Sequence, residues 1–197
     1  MVATDSQEIH DLIVKLGGEV FMSQQIHECG TDRIAEAVRD LKVDVIVNVQ
    51  GDEPFTHRDD LAGVLQILKD DAIGEVDLAS LMTPIHHTDD IENYNAVKVV
   101  TDAQRNALLF SRCAIPHKRN KDARVPYYKH KGIYAFRKEA LLDFASMPIT
   151  PLEEAEKIEC LRFLENGKRI RMAITTNEGV EIDTPEDLER ARQIMKS

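Results

Sequence analysis

With 197 residues, 43% of them hydrophobic and 30% charged, the chain has the size and composition of one folded domain with a sizeable core. Its formal charge of −10 disfavours sequence-independent nucleic-acid binding, so any anionic ligand needs a local basic cluster or a metal ion. No apolar run approaches the roughly 18 residues that cross a bilayer and no basic-then-apolar leader opens the chain, which makes the cytosol the expected location and a membrane an unexpected partner.

In chain order, residues 1–4 read as a strand, followed by Asp5 as N-cap with Glu8 completing a capping box. Ile9, Leu12, Ile13 and Leu16 fall on one helical stripe, closed by Gly17 and Gly18. Residues 19–22 form a second strand. Thr31 is placed as the cap of a helix whose stripe is Ile34, Ala37, Val38 and Leu41. The near-continuous apolar run 43–49 predicts a central strand covered on both faces. A helix through Leu61, Val64, Leu65 and Leu68 follows, then a strand over 76–82. Residues 96–101 and 107–111 read as a hairpin joined by 102–106, and 112–124 is a polar, basic stretch. A strand over 128–136 precedes a single helix over 151–166, with Leu152, Ala155, Ile158, Leu161 and Leu164 inward. A strand over 169–175 leads to a last helix with Thr184 as N-cap and Pro185 at its first position.

This alternation predicts an α/β fold of Rossmann-like type: a mainly parallel sheet with a hairpin excursion, in one domain over 1–197. Three cysteines without a Cys-x-x-Cys pair suggest neither a disulfide framework nor a zinc ribbon. The adjacent His86 and His87 would point to opposite faces of a strand, which disfavours a histidine zinc site.

Two segments carry candidate chemistry. Asn48-Val49-Gln50-Gly51-Asp52-Glu53-Pro54 puts a carboxylate just past the carboxyl end of a central strand, the edge where open α/β sheets bind ligands. The same residues also suit a plain strand-end turn. Asp183-Thr184-Pro185-Glu186-Asp187-Leu188 is the second, and a helix start with Asp183 supporting the cap explains it equally well.

Together these segments resemble the 3-deoxy-manno-octulosonate (Kdo) cytidylyltransferases of lipopolysaccharide biosynthesis. Further ordered blocks agree, among them Gly30-Thr31-Asp32-Arg33, Asn95-Ala96-Val97-Lys98-Val99-Val100, Phe110-Ser111-Arg112 and His130-Lys131-Gly132-Ile133-Tyr134. The resemblance spans essentially the whole chain and implies a nucleotidyltransferase fold, CTP and Kdo as substrates, CMP-Kdo and pyrophosphate as products, and a homodimer. It implies Mg²⁺ held by Asp52 and Asp183 as the catalytic carboxylates. Arg33 then corresponds to a cytidine-nucleotide contact and Gln50 to a contact near the reacting sugar. Arg112 would pair with the sugar carboxylate, and His130, Tyr134 and Glu159 would face the sugar.

The chain departs from the family pattern at Cys160, where many relatives carry Gln, and at Cys29, where Ser is common. Relatives open with a strand and an Ala-x-Arg-x-x-Ser-x-Arg loop around the triphosphate. This sequence begins in what reads as a core strand, so the first βα unit is expected to be absent and turnover by the 197-residue form to be low. Two alternatives stay open: a non-catalytic remnant that keeps a dimer surface or weak sugar site, and a cytidylyltransferase for a related acidic sugar.

Overall fold

The computed structural model describes all residues except Glu28, Glu178, Asp183 and Ser197. The chain divides into two compact units, residues 1–46 with 137–148, and residues 47–136 with 149–197.

In the first unit, β1 (Val2–Thr4) and β2 (Val20–Met22) pair in parallel, with Val2 opposite Val20, and α1 (Gln7–Lys15) connects them. The N-cap of α1 is Ser6, whose Oγ accepts from the Ile9 N–H; Asp5 does not cap, because its carboxylate takes the Arg33 guanidinium at 2.7 Å. The predicted stripe is helical but uncovered: Leu12 is 53% and Leu16 72% exposed, and α1 buries no residue. Periodicity describes the helix, whereas burial requires an opposing layer. α2 (Gly30–Val38) starts before Thr31, with Cys29 at the N-cap and Thr31 buried. It packs against α5 (Lys138–Phe144), a helix the sequence reading did not anticipate, through a core that includes Ala35, Val38, Leu141 and Phe144.

β3 (Val45–Val49) is not the doubly covered strand expected. It buries only Ile46 and Asn48, and leaves Val49 41% exposed, the alternation of a strand packed on one face. The fully covered strand is β4 (Leu78–Pro84), whose first five residues are all buried.

The second unit is built on a mixed six-stranded sheet in the order β6-β5-β7-β4-β8, with β3 also paired to β7. β5 (Lys98–Thr101) and β6 (Ala107–Ser111) form the expected hairpin. Asp102 closes its loop by accepting from the Gln104 and Asn106 N–H groups at 2.8 Å, and Arg105 takes a positive φ. β7 (Tyr128–Arg137) runs antiparallel to β4 and β5, while β8 (Ile170–Ile174) runs parallel to β4. α3 (Arg58–Asp70) covers β4 and β8 with Val64 and Leu68, and a short α4 (Thr88–Glu92) follows β4.

β7 is irregular where it matters. Ser80 pairs with Tyr134 and the next residue, Leu81, with Lys131, so Gly132 and Ile133 have no partner on β4. A bulge of this kind re-aims side chains and frees backbone groups.

The single helix expected over 151–166 is two. α6 (Pro151–Glu156) ends at Lys157, which adopts a left-handed conformation with φ 54°, and α7 (Cys160–Glu165) restarts three residues later. The break turns the apolar face. Leu152 becomes 44% exposed, while Arg162 and Phe163 are buried beside Ile158 and Leu161. Glu153 and Arg162 bridge the two helices by a buried two-pronged ion pair, at 2.6 and 2.7 Å. α8 (Pro185–Ile194) begins as expected, with Thr184 and Asp187 making a reciprocal capping box that needs no further carboxylate.

Candidate functional site

Within the second unit, a cavity of about 520 Å³ opens at the end of β3. Gln50, Asp52 and Glu53 reach it from the turn after β3. Lys129, His130 and Gly132 come from β7, Asn95 and Val97 from the segment before β5, Arg112 from the end of β6, and Glu181 and Thr184 from the segment before α8. Four residues singled out from sequence, Gln50, Asp52, Arg112 and His130, therefore share one cavity wall.

The turn at 50–53 is held by backbone bonds. The Glu53 N–H donates to the Gln50 carbonyl at 3.1 Å, and the Thr56 hydroxyl donates to the Glu53 carbonyl at 2.9 Å. The Ile182 N–H donates to the Asp52 carbonyl at 3.0 Å, which docks the segment preceding α8 onto the Asp52 turn. Asp183 itself lies outside the described residues. The Oδ1 atom of Asp52 is buried and has no hydrogen-bond partner among the described residues. A solvent-excluded carboxylate oxygen without a donor is a ready ligand for a cation. Among the described residues no three His, Cys, Asp or Glu side chains group to hold a metal, so a closed protein cage is not formed by them.

Glu53 is only 4% exposed and accepts from the Gly132 N–H at 3.3 Å. Burial and the nearby charge of Glu181 push its carboxyl up to about 7; Lys131 and the Gly132 N–H oppose this, and Asp52 adds to it. Lys131 in turn pairs with Asp60 at 3.0 Å in a buried cluster completed by Thr175 and Asn177. At the cavity rim Lys129 pairs with Glu181 at 3.0 Å.

Arg112 is fixed by backbone. Its guanidinium donates from Nε to the Glu156 carbonyl at 2.7 Å and from its terminal nitrogens to the carbonyls of Tyr94 (3.1 Å) and Lys157 (3.4 Å). The helix break at Lys157 is what supplies two of these carbonyls. Each terminal nitrogen keeps a second N–H, the donors a carboxylate would use. Behind it, Lys98 is fully buried, with Nζ donating to the carbonyls of Asn93 (2.7 Å) and Arg112 (2.6 Å), and burial lowers its pKa.

His130 is 8% exposed, packed edge-on against Phe110 with ring centroids 5.0 Å apart, and burial with the neighbouring Lys129 charge pushes its pKa down to about 3. Tyr134 lies 5.5 Å from it, centroid to centroid, in a file that continues through Phe136 to Phe163. The expected His130–Tyr134 pair is thus adjacent, but Tyr134 is a core residue, only 7% exposed, and it is not part of the cavity wall. Glu159 is half-buried at the start of α7, at the helix break, and does not line the cavity. Arg33 belongs to the first unit, where it pairs with Asp5.

Sequence reasoning passed over Glu53, Ser80 and Lys98. Each left a signal: a second carboxylate beside Asp52, a lone hydroxyl in the apolar run 78–82, and a lone charge in the strand 96–100.

A family model described as cytidylyltransferase matches residues 1–170. A 3-deoxy-manno-octulosonate cytidylyltransferase of Christiangramia forsetii is 55% identical over 98% of this chain and 78% of its own length. The chain belongs to this family. The cytidylyltransferase of the same name from Flavobacterium johnsoniae is 57% identical over 99% of the chain and 80% of the relative. A solved structure of CMP:2-keto-3-deoxy-manno-octonic acid synthetase complexed with CTP superposes with a TM-score of 0.92 at 35% identity, covering 99% of this chain and 79% of that one. The α/β nucleotidyltransferase fold expected from sequence is the fold of this cytidylyltransferase. A 4-diphosphocytidyl-2C-methyl-D-erythritol synthase from Anaerococcus prevotii shares the fold at 14% identity, with a TM-score of 0.59.

Proposed function

We propose that this cytidylyltransferase transfers CMP from CTP to the anomeric hydroxyl of Kdo, releasing pyrophosphate. The observation that carries the reading is the 55–57% identity to relatives of that name along 98–99% of the chain. In the reaction the anomeric oxygen bonds to the α-phosphorus, the bond from that phosphorus to the bridging oxygen breaks, and the hydroxyl proton passes to solvent.

Each cavity residue has a task in this scheme. Arg112, immobilised by three carbonyls, pairs with the sugar carboxylate and sets its orientation. Gln50 and His130, which line the same cavity, bind sugar hydroxyls. Asp52 and Asp183 would hold Mg²⁺, which when bound supplies positive charge to phosphate oxygens. The donorless Oδ1 of Asp52 supports that assignment, and so does the Ile182–Asp52 backbone bond, which tethers the residue before Asp183 in sequence to the Asp52 turn. Arg33 is assigned to the nucleotide by resemblance; Tyr134, outside the cavity wall, would act on the sugar side by packing against His130, and Glu159 is assigned to that side by resemblance alone. The homodimer and the cytosolic setting belong to the same proposal, and light scattering tests the dimer. Among the described residues no helix is long and apolar enough to cross a membrane.

The test is calorimetric titration of the chain with Kdo, followed by pyrophosphate release on adding CTP and Mg²⁺. Kdo should bind, and Arg112→Ala should weaken it at least tenfold, as expected for a lost charge-assisted pair. Asp52→Asn should keep Kdo binding and lose most of the parent chain's Mg²⁺-dependent release, itself expected to be low. Absence of Kdo binding by the unaltered chain would overturn the sugar assignment, and near-normal release by Asp52→Asn would overturn the metal assignment.

A further inference from the structure

Ser80 is the one hydroxyl in the covered run of β4 and has no exposed surface. It sits opposite the β7 bulge, where Gly132 and Ile133 find no partner on β4. Its Oγ lies 2.9 Å from the Ile133 carbonyl oxygen, 3.4 Å from that of Lys131 and 2.9 Å from His130 Nε2.

These distances decide where the protons are. A hydroxyl has one proton to give, and a carbonyl oxygen only accepts. If Ser80 gave its proton to His130, two oxygens would face each other at 2.9 Å in the core with no proton between them. Both short contacts are hydrogen bonds only when Ser80 donates to Ile133 and His130 Nε2–H donates to Ser80. Burial keeps the ring neutral, with its pKa down at about 3, so it carries a single proton. A neutral ring protonated at Nε2 has a bare Nδ1.

We infer that Ser80 is a positioning residue that fixes the tautomer of His130, so that the ring presents Nδ1 as a hydrogen-bond acceptor in the cavity wall. The ligand chemistry this selects is a hydroxyl donor, such as a sugar provides; that part rests on the sugar-binding reading above, whereas the tautomer does not. Phe110 and Tyr134 hold the ring plane, and Ser80 decides whether the nitrogen the ligand meets carries a proton. The other tautomer would present N–H instead, so the ligand hydroxyl would have to turn and accept, losing the acceptor for its own proton, an effect of about tenfold in affinity.

Long-range ¹H–¹⁵N correlation spectra of the histidine rings at neutral pH test this on the unmodified chain, Ser80→Ala and Ser80→Thr. The unmodified chain and Ser80→Thr, which keeps the hydroxyl, should show His130 protonated at Nε2 alone. Ser80→Ala should show both tautomers and bind Kdo about tenfold more weakly. An Nδ1-protonated ring in the unmodified chain overturns the proposal whatever the variants do. So does an unchanged single Nε2 tautomer in Ser80→Ala. A fixed Nε2 tautomer in a chain that binds no Kdo would leave the Ser80 assignment standing and sink the proposed function instead.

Discussion

Replacing Glu53 by glutamine should stabilise the fold at neutral pH and above, and have little effect below pH 4.5. Glu53 is 4% exposed beside two other carboxylates, and burial with the Glu181 charge moves its carboxyl from 4.5 up to about 7. Below 4.5 folded and unfolded chains both hold the proton. Between 4.5 and 7 the unfolded chain releases it and the folded chain keeps it, so stability falls as pH rises; above 7 the full penalty is present. At about 1.4 kcal/mol per tenfold change in ionisation constant, the raised value corresponds to roughly 3 kcal/mol. Solvent at the cavity mouth screens part of that, leaving about 2 kcal/mol. Glutamine never ionises, and its amide oxygen can still accept from the Gly132 N–H. Urea unfolding of the chain and of Glu53→Gln in chelator, at pH 4.5, 6 and 8, measures the difference directly. It should grow from near zero to about 2 kcal/mol across that series, in favour of the variant. A constant difference at every pH, or a variant less stable at pH 8 than the parent, would refute the reasoning.

His130 gives the opposite sign: its pKa is lowered from 6.5 to about 3, so the unfolded chain takes up a proton first and stability should fall as pH drops through that window. Ser80→Ala, His130→Gln and the parent, compared by unfolding between pH 7 and 4, should show this slope in every chain that keeps the buried histidine and lose it in His130→Gln. Arg162→Met removes one partner of the buried pair that joins α6 to α7 and strands the Glu153 carboxylate. A loss of about 3–5 kcal/mol in denaturant unfolding is expected, with much of it recovered when Glu153→Gln is added. Because the same helix break supplies the carbonyls that hold Arg112, Arg162→Met should also weaken Kdo binding in calorimetry.

The elements themselves were largely legible in the sequence, because they follow from local periods. The hairpin at 98–111, α3 and the Thr184 start of α8 stand where residue order placed them. So does the Asp52 turn, since an apolar strand ending in Gly and Pro stops in only a few ways. The break at Lys157 was not legible. Its left-handed backbone is stabilised by contacts with Arg112 and by the Glu153–Arg162 pair, partners 45 and 9 residues apart in the chain. Nor was the burial of Arg162, the exposure of Leu12, or the retreat of Tyr134 into the core, each set by which surface lies opposite rather than by the residue's own helix or strand. The motif 48–54 was recognisable from residue types alone. That Asp52 Oδ1 has no donor among the described residues, that the Glu53 carboxyl is pushed up to about 7, and that Ser80 faces His130 across a bulge depend on desolvation and on proton-sharing between distant strands, which only the folded chain creates.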